Sequence, residues 1–203
     1  MEQLRAFIAI PLPPELLAQL ATIQRRLDRR VPHGSVRWVQ TNGIHLTLKF
    51  LGDVAVDRVP DFERALEAVA CHAPRSTFTV EGLGCFPNTS RPRVVWIGVQ
   101  EPSDRLAALQ DGVEEAMSHF GFQPEGRGFS PHLTLGRIGR RASRDDATQV
   151  GRAVAALTTG PLGEVHVSKF ALIRSTLKPT GAEYTTLSEF RLSEAQAACS
   201  RED

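Results

Sequence analysis

The tetrapeptide His-Leu-Thr-Leu occurs at His45–Leu48 and again at His132–Leu135, once in each half of a 203-residue chain. With six histidines available to begin a match, the three further identities arise by chance in on the order of half a percent of such sequences. The repeat therefore reads as an internal duplication. Side chains alternate along a strand, so each copy puts His and Thr on one face and its two leucines on the other. The leucines belong to a core, and the His/Thr faces to whatever the two halves enclose.

The surrounding pattern repeats as well. Apolar periodicity predicts a helix from about Pro14 to Arg29, with Leu16, Leu20, Ile23 and Leu27 on one stripe, and a second near Asp57 to Ala73 that buries Phe62, Leu66 and Val69. A third opens at Ser103 as N-cap and stops at Gly121; a fourth opens at Ser143, with Asp145 and Asp146 in its first turn, and ends by Gly160. Strands are predicted over Arg5–Pro11, Ile44–Leu51, Thr77–Cys85, Arg93–Val99, His132–Ile138, Val165–Ile173 and Tyr184–Leu192. Each half thus runs strand, helix, strand, helix, strand. The expected fold class is α+β: a bilobal pseudo-two-fold duplication, two antiparallel-type sheets flanked by helices around a central cleft. One domain is expected over 1–203, each lobe giving one His-x-Thr motif, with a disordered tail over 193–203.

Composition narrows the partners. The 24 Lys and Arg against 23 Asp and Glu leave a formal charge of +1, too little for gripping long nucleic acid through a bulk field, so any polyanion contact must be local. The opening residues lack a basic segment followed by a long apolar one, and no apolar run approaches a membrane span. The expectation is a cytoplasmic monomer without a membrane partner. The three cysteines are odd in number and lack C-x-x-C spacing, which fits neither a disulfide framework nor a cysteine zinc site. Cys71 and Cys85 are expected as small buried hydrophobes.

Two imidazoles and two hydroxyls around one volume suit a phosphodiester. In-line displacement at phosphorus needs a base on the attacking oxygen and an acid on the departing one, on opposite sides, and histidine titrates in the right range. Thr47 and Thr134 can donate to the non-bridging oxygens. A metal site competes for the same histidines, but neither has a His or carboxylate two or four residues away on its face, so no metal is expected.

With their flanks, these residues resemble the two-histidine (2H) phosphoesterases, and within them the RNA 2′,3′-cyclic phosphodiesterases historically called 2′-5′ RNA ligases. The resemblance runs through Arg5–Ile10, Trp38-Val39, Asn42–Gly52, Pro92–Gly98, Phe129–Arg137 and Leu172–Ser175 with Gly181 and Tyr184. It implies a bilobal fold with a central cleft, no cofactor, and hydrolysis of a terminal 2′,3′-cyclic phosphate on RNA or oligonucleotides to a 2′-phosphomonoester. It also implies His45 as proton donor and His132 as proton acceptor, with 2′-5′ joining of RNA as the same chemistry using a ribose hydroxyl. Strand alternation alone does not say which histidine is the acid. The rival readings are a nucleotide- or RNA-binding module that turns nothing over, and a 2H enzyme for another small cyclic phosphate or 2′-5′ oligoadenylate.

Around the motifs, Lys49, Arg91, Arg93, Arg127, Arg137, Arg140, Arg141, Arg144 and Arg174 offer phosphate-binding charge or plain solvated surface. Arg93, Arg137 and Arg174 sit in the family-like blocks and are the candidates for substrate contact. Phe50, Phe129 and Tyr184 could stack on a base, with core packing the alternative for Phe50. Trp38 and Trp96 read as core, and His33, His72, His119 and His166 as surface or helix-end residues.

Overall fold

The computed structural model describes residues 2–126, 128–178 and 181–194. Among these residues nine strands and four α-helices follow one another as β1 (Gln3–Pro11), α1 (Pro14–Asp28), β2 (Val36–Trp38), β3 (His45–Ala55), α2 (Val59–His72), β4 (Ser76–Phe86), β5 (Val94–Gln100), α3 (Arg105–Ser118), β6 (His132–Ile138), α4 (Arg144–Ala156), β7 (Glu164–Val167), β8 (Lys169–Lys178) and β9 (Gly181–Arg191). No helix among the described residues is long and apolar enough to cross a membrane.

The strands form two antiparallel ladders, β7-β4-β5-β6 and β3-β1-β8-β9, with β2 added to β6. The ladders meet where β3 touches β6 at a single register pair, Leu46 opposite Leu133. The two expected sheets are therefore one continuous sheet, curled at the motif strands. Leu46 and Leu133 are almost fully buried, which is where the duplicated leucines were expected to go.

Helices cover the face to which those leucines point. Helix α2 packs on α3 and β9, α3 on β3, and α4 on β4. From α1, the buried Gln24 side chain donates to the carbonyls of Val39 and Leu135, both at 2.8 Å, tying the β2 end to β6. Strand β1 is buried on both faces: Ala6, Ile8 and Ile10 join the main core, while Phe7 and Ala9 form a small second cluster with Ala171 and Ile173.

The strand expected over Val165–Ile173 is two strands. Val165 and Val167 point inward on β7, which pairs with β4; Phe170 and Leu172 point inward on β8, which pairs with β1. The inward positions change from odd to even across Ser168, and the chain crosses there from one ladder to the other. The ladders consequently exchange strands between the sequence halves. Strand β2 was not expected, because three residues are too few to show a period.

Cap chemistry was partly legible. Ser143 and Asp146 form a capping box at α4. At α3 the helix starts at Arg105, not after Ser103; Asp104 takes the cap position with φ 57°, and Glu101 accepts from the backbone N–H groups of Ser103 and Leu106. The tail expected to be loose from Ser193 is anchored at its start: Ser193 bonds to the Ala73 carbonyl and bridges Pro74, and Glu194 pairs with Arg75 at 3.0 Å. Residues 195–203, including Cys199, lie outside the described residues, as does Arg127. Cys85 is buried as expected, whereas Cys71 is exposed at the end of α2.

Candidate active site

Carrying the Leu46–Leu133 register one residue either way sets His45 opposite Thr134 and Thr47 opposite His132, all four on the face away from the leucines. The two histidines are diagonal neighbours, a relation that spans about 7–8 Å between strands. A phosphorus held between them has an imidazole on each side and a threonine hydroxyl beside each imidazole.

Both strands then depart from ideal pairing in the same way. On β3 the register slips between Thr47, opposite Ala9, and Lys49, opposite Ile8. On β6 it slips between Thr134, opposite Trp96, and Gly136, opposite Val95. Each bulge reverses the alternation, so the third residue after each motif threonine returns to the cleft face: Phe50 on β3 and Arg137 on β6. The bulges also turn Lys49 inward. Among the cations near the motifs it was weighed as surface or phosphate-binding, but it is 1% exposed and ion-paired with Glu114 of α3, donating as well to the Gln123 carbonyl at 3.0 Å.

Each histidine is oriented by the carbonyl two residues before it. His132 Nδ1 donates to Ser130 O at 2.7 Å, and His45 bonds to the Gly43 backbone. A carbonyl can only accept, so the oriented nitrogen carries the proton and the other is left with its lone pair toward the cleft when the ring is neutral. Burial pushes the His45 pKa down from its ordinary 6.5 to about 4, against the opposing pull of the Gly43 carbonyl. The ring is stacked on Phe7, centroids 4.5 Å apart, and meets the edge of Tyr184 at 5.3 Å. His132 lies edge-on to Phe86 at 4.8 Å. Gly43 has to lack a side chain: a Cβ there would fall 2.7 Å from Tyr184.

A cavity of about 340 Å³ opens on the His45 side, with Thr47, Thr134, Phe7, Phe50, Tyr184 and Leu177 in its wall. Three of the four exposed large apolar side chains among the described residues, Phe50, Leu177 and Tyr184, are in that wall. Arg5, Arg37 and Arg137 supply three positive charges, with no carboxylate among the described residues of the lining. This is the local charge that a chain of net +1 needs if it is to bind an anion. Among the described residues, no three His, Cys, Asp or Glu side chains converge as metal ligands.

Of the substrate-contact candidates, Arg137 and Phe50 reach this cavity, and Phe50 is 56% exposed and so outside the core. Arg93 and Arg174 do not. Arg93 faces α4, in a depression with Arg91 and Arg144. Arg174 stands opposite Ala6 on β8, on the face away from Phe7 and Ile173. Trp96 and Trp38 are half-buried rather than core; Trp96 stands beside His132, and Trp38 Nε1 donates to Asp28 at 2.7 Å. His33, His72, His119 and His166 are exposed. Sequence reasoning missed Arg5, Arg37, Phe7 and Leu177. Arg5 and Phe7 share the parity of Ala9 on β1, but only the second pairing edge of that strand reveals that this face is a cleft.

The LigT like Phosphoesterase family matches the chain twice, over residues 10–96 and 97–184, one match around each motif strand. An RNA 2′,3′-cyclic phosphodiesterase of Methanothermobacter thermautotrophicus is 33% identical over 190 residues, covering 94% of this chain and 100% of its own. Its namesake in Thermotoga maritima is 34% identical over 186 residues, covering 92% and 94%. The crystal structure of E. coli LigT complexed with 3′-AMP superimposes with a TM-score of 0.74 at 27% identity, over 95% of this chain and 100% of that one. A cleft built by two matching halves, each contributing one His-x-Thr strand, and relatives aligned over nearly the full length place the chain in the LigT-like phosphoesterase family.

Proposed function

We propose that the protein hydrolyses the 2′,3′-cyclic phosphate at the end of an RNA or oligonucleotide, leaving a 2′-phosphomonoester and a free 3′ hydroxyl. The relatives' activity gives the substrate class. The observation that carries the reading is the register at the junction of the two ladders, which lines up His45, Thr47, His132 and Thr134 on one face.

His132 takes the proton of the attacking water, and His45 protonates the departing 3′ oxygen on the opposite side of phosphorus. Thr47 and Thr134 donate to the non-bridging oxygens as charge builds on them. In the free cleft His45 favours the neutral ring; an anionic phosphate within about 4–6 Å favours the imidazolium and supplies the acid when substrate is bound. The same arrangement joins RNA through a 2′-5′ linkage when a ribose 5′ hydroxyl takes the place of water as the attacking group, His132 accepting its proton and His45 protonating the 3′ oxygen that departs.

A leaving-group exchange tests the assignment. His45→Ala and His132→Ala are each expected to lower turnover of a nucleoside 2′,3′-cyclic phosphate by roughly 10²–10⁴-fold. Sulfur departs without needing a proton, so a substrate with a 3′-bridging sulfur restores His45→Ala and leaves His132→Ala slow. Rescue of His132→Ala in its place exchanges the two roles. Absence of turnover by the wild-type chain overturns the function.

A further inference from the structure

Strand β6 begins with His132 and Thr134 and runs out past Arg137, which stands opposite Arg37 on β2 and lines the His45 cavity. Where the strand leaves the cleft, the chain turns basic. Arg140 and Arg141 follow in the connection to α4, Arg144 opens that helix, and Arg91 and Arg93 lie in the connection that leads into β5. The two connections meet: Ile138 donates its backbone N–H to the Arg93 carbonyl at 3.0 Å, and Arg91, Arg93 and Arg144 wall one open depression of about 370 Å³ together with Ser90, Pro92 and Ala147.

Arg91, Arg93, Arg140, Arg141 and Arg144 are all exposed, and among the described residues none of them is ion-paired. Asp145 and Asp146 share the first turn of α4, with Asp146 engaged in the cap. Five arginines against two aspartates give the patch a formal +3 within a chain of +1, so the rest of the molecule is formally −2. Like charges gathered in this way repel one another in the free protein, and a polyanion relieves that repulsion.

The charges are also held in place. Asn88 accepts from the backbone N–H groups of Ser90 and Arg91 at 3.1 and 2.9 Å, and the Arg93 N–H donates to the Phe86 carbonyl at 2.7 Å. The Thr89 carbonyl rests against α4 at Gly151, where a Cβ would collide with it. A backbone fixed before binding has less freedom to lose on binding. No aromatic ring lines the depression, so it suits phosphates and offers no surface on which to stack a base.

From Thr134 to Ile138 the strand spans about 13 Å at about 3.3 Å per residue. The depression lies past that end and on the α4 side of the sheet, so its arginines point away from the phosphorus held between the histidines.

We propose that this patch holds the body of the RNA: Arg91, Arg93 and Arg144, with Arg140 and Arg141 beside them, bind backbone phosphates several nucleotides in from the cyclic end, where the RNA passes over the end of β6. The proposal rests on the activity proposed above and deepens it, because it adds a preference for longer RNA that does not depend on base sequence.

Equilibrium binding of the products separates this from catalysis. The ligands are a nucleoside 2′-phosphate and a single-stranded RNA of about eight nucleotides ending in a 2′-phosphate, long enough to cover the offset at about 3.4 Å per phosphate. Both are titrated into the wild type, into Arg91→Gln/Arg144→Gln, and into Arg25→Gln/Arg26→Gln, which removes the same charge from exposed positions on α1. At low salt the wild type is expected to bind the longer RNA at least about tenfold tighter than the nucleoside 2′-phosphate, and Arg91→Gln/Arg144→Gln to lose most of that margin, with a salt slope flatter by about 1–2. Its unchanged affinity for the nucleoside 2′-phosphate shows that the variant is folded, and the α1 variant keeps the margin. Equal affinity of the wild type for both ligands, or a margin unchanged in Arg91→Gln/Arg144→Gln, overturns the proposal. An equal loss in Arg25→Gln/Arg26→Gln assigns the effect to net charge and overturns it too. Turnover of a nucleoside 2′,3′-cyclic phosphate by the wild type reads the proposed activity separately.

Discussion

Phe50 on β3 and Arg137 on β6 occupy equivalent positions, each the third residue after its motif threonine and each brought to the cleft by a bulge. The backbone of the duplication is preserved through the bulge, while the side chain it delivers differs in kind. The two sides of the cleft therefore carry like histidines and threonines but an aromatic ring on one and a positive charge on the other. The same contrast holds one row along: Ala9 lies opposite Thr47, whereas Trp96 lies opposite Thr134.

The threonines should each matter, and less than the histidines. Removing one donor aimed at a developing oxyanion costs on the order of 10²-fold, so Thr47→Val and Thr134→Val are expected to lower kcat by about that factor with little change in KM. Steady-state rates on a nucleoside 2′,3′-cyclic phosphate check it. Wild-type kcat in both variants would make the hydroxyls structural.

Folding stability should carry the signature of a neutral His45. Its folded pKa of about 4 lies below the ordinary 6.5, so between those values the unfolded chain binds more protons than the folded one. Stability therefore rises with pH through that window and is lost as pH falls through it. At about 1.4 kcal/mol per pKa unit the full shift amounts to about 3–4 kcal/mol, of which about 2–3 kcal/mol is lost between pH 7 and pH 4.5. Denaturant unfolding at pH 7 and near pH 4.5 should show a smaller pH effect in His45→Ala than in the wild type; identical pH dependence would mean that the fold does not hold the ring neutral.

Lys49 and Glu114 form the buried pair under β3, with Gln110 donating to the same carboxylate at 3.1 Å. Removing one partner leaves the other charge buried, which costs about 3–5 kcal/mol, while replacing both with apolar residues is often close to neutral. Lys49→Met should accordingly unfold at much lower denaturant than Lys49→Met/Glu114→Leu. A double variant no more stable than the single would show that the ion pair itself, rather than the penalty of an orphaned carboxylate, holds this part of β3 in place.

Alternation along single strands was legible without any structure, because it is a local property. His45 and Thr47 on one face, Leu46 on the other, the four helices, and the opening of α4 at Ser143 with acids in its first turn all follow from neighbours within a few residues. The change of parity at Ser168 is also written in the sequence, in Val165 and Val167 against Phe170 and Leu172, but it reads as a strand break only when the two pairing partners are known. Arg93 and Arg174 were misplaced for the related reason that a basic residue near a motif block can stand on either face.

The duplicated His-Leu-Thr-Leu by itself determined that two like strands would present two histidines and two threonines, and so determined the kind of chemistry open to the chain. Tertiary structure alone decided that those strands touch at Leu46 and Leu133, that bulges swing Phe50 and Arg137 outward and Lys49 inward, and that the short β2 sets Arg37 against Arg137. Register between strands depends on contacts between residues far apart in the chain, and one slip reverses every side chain beyond it. Periodicity within a strand carries no information about where such a slip falls.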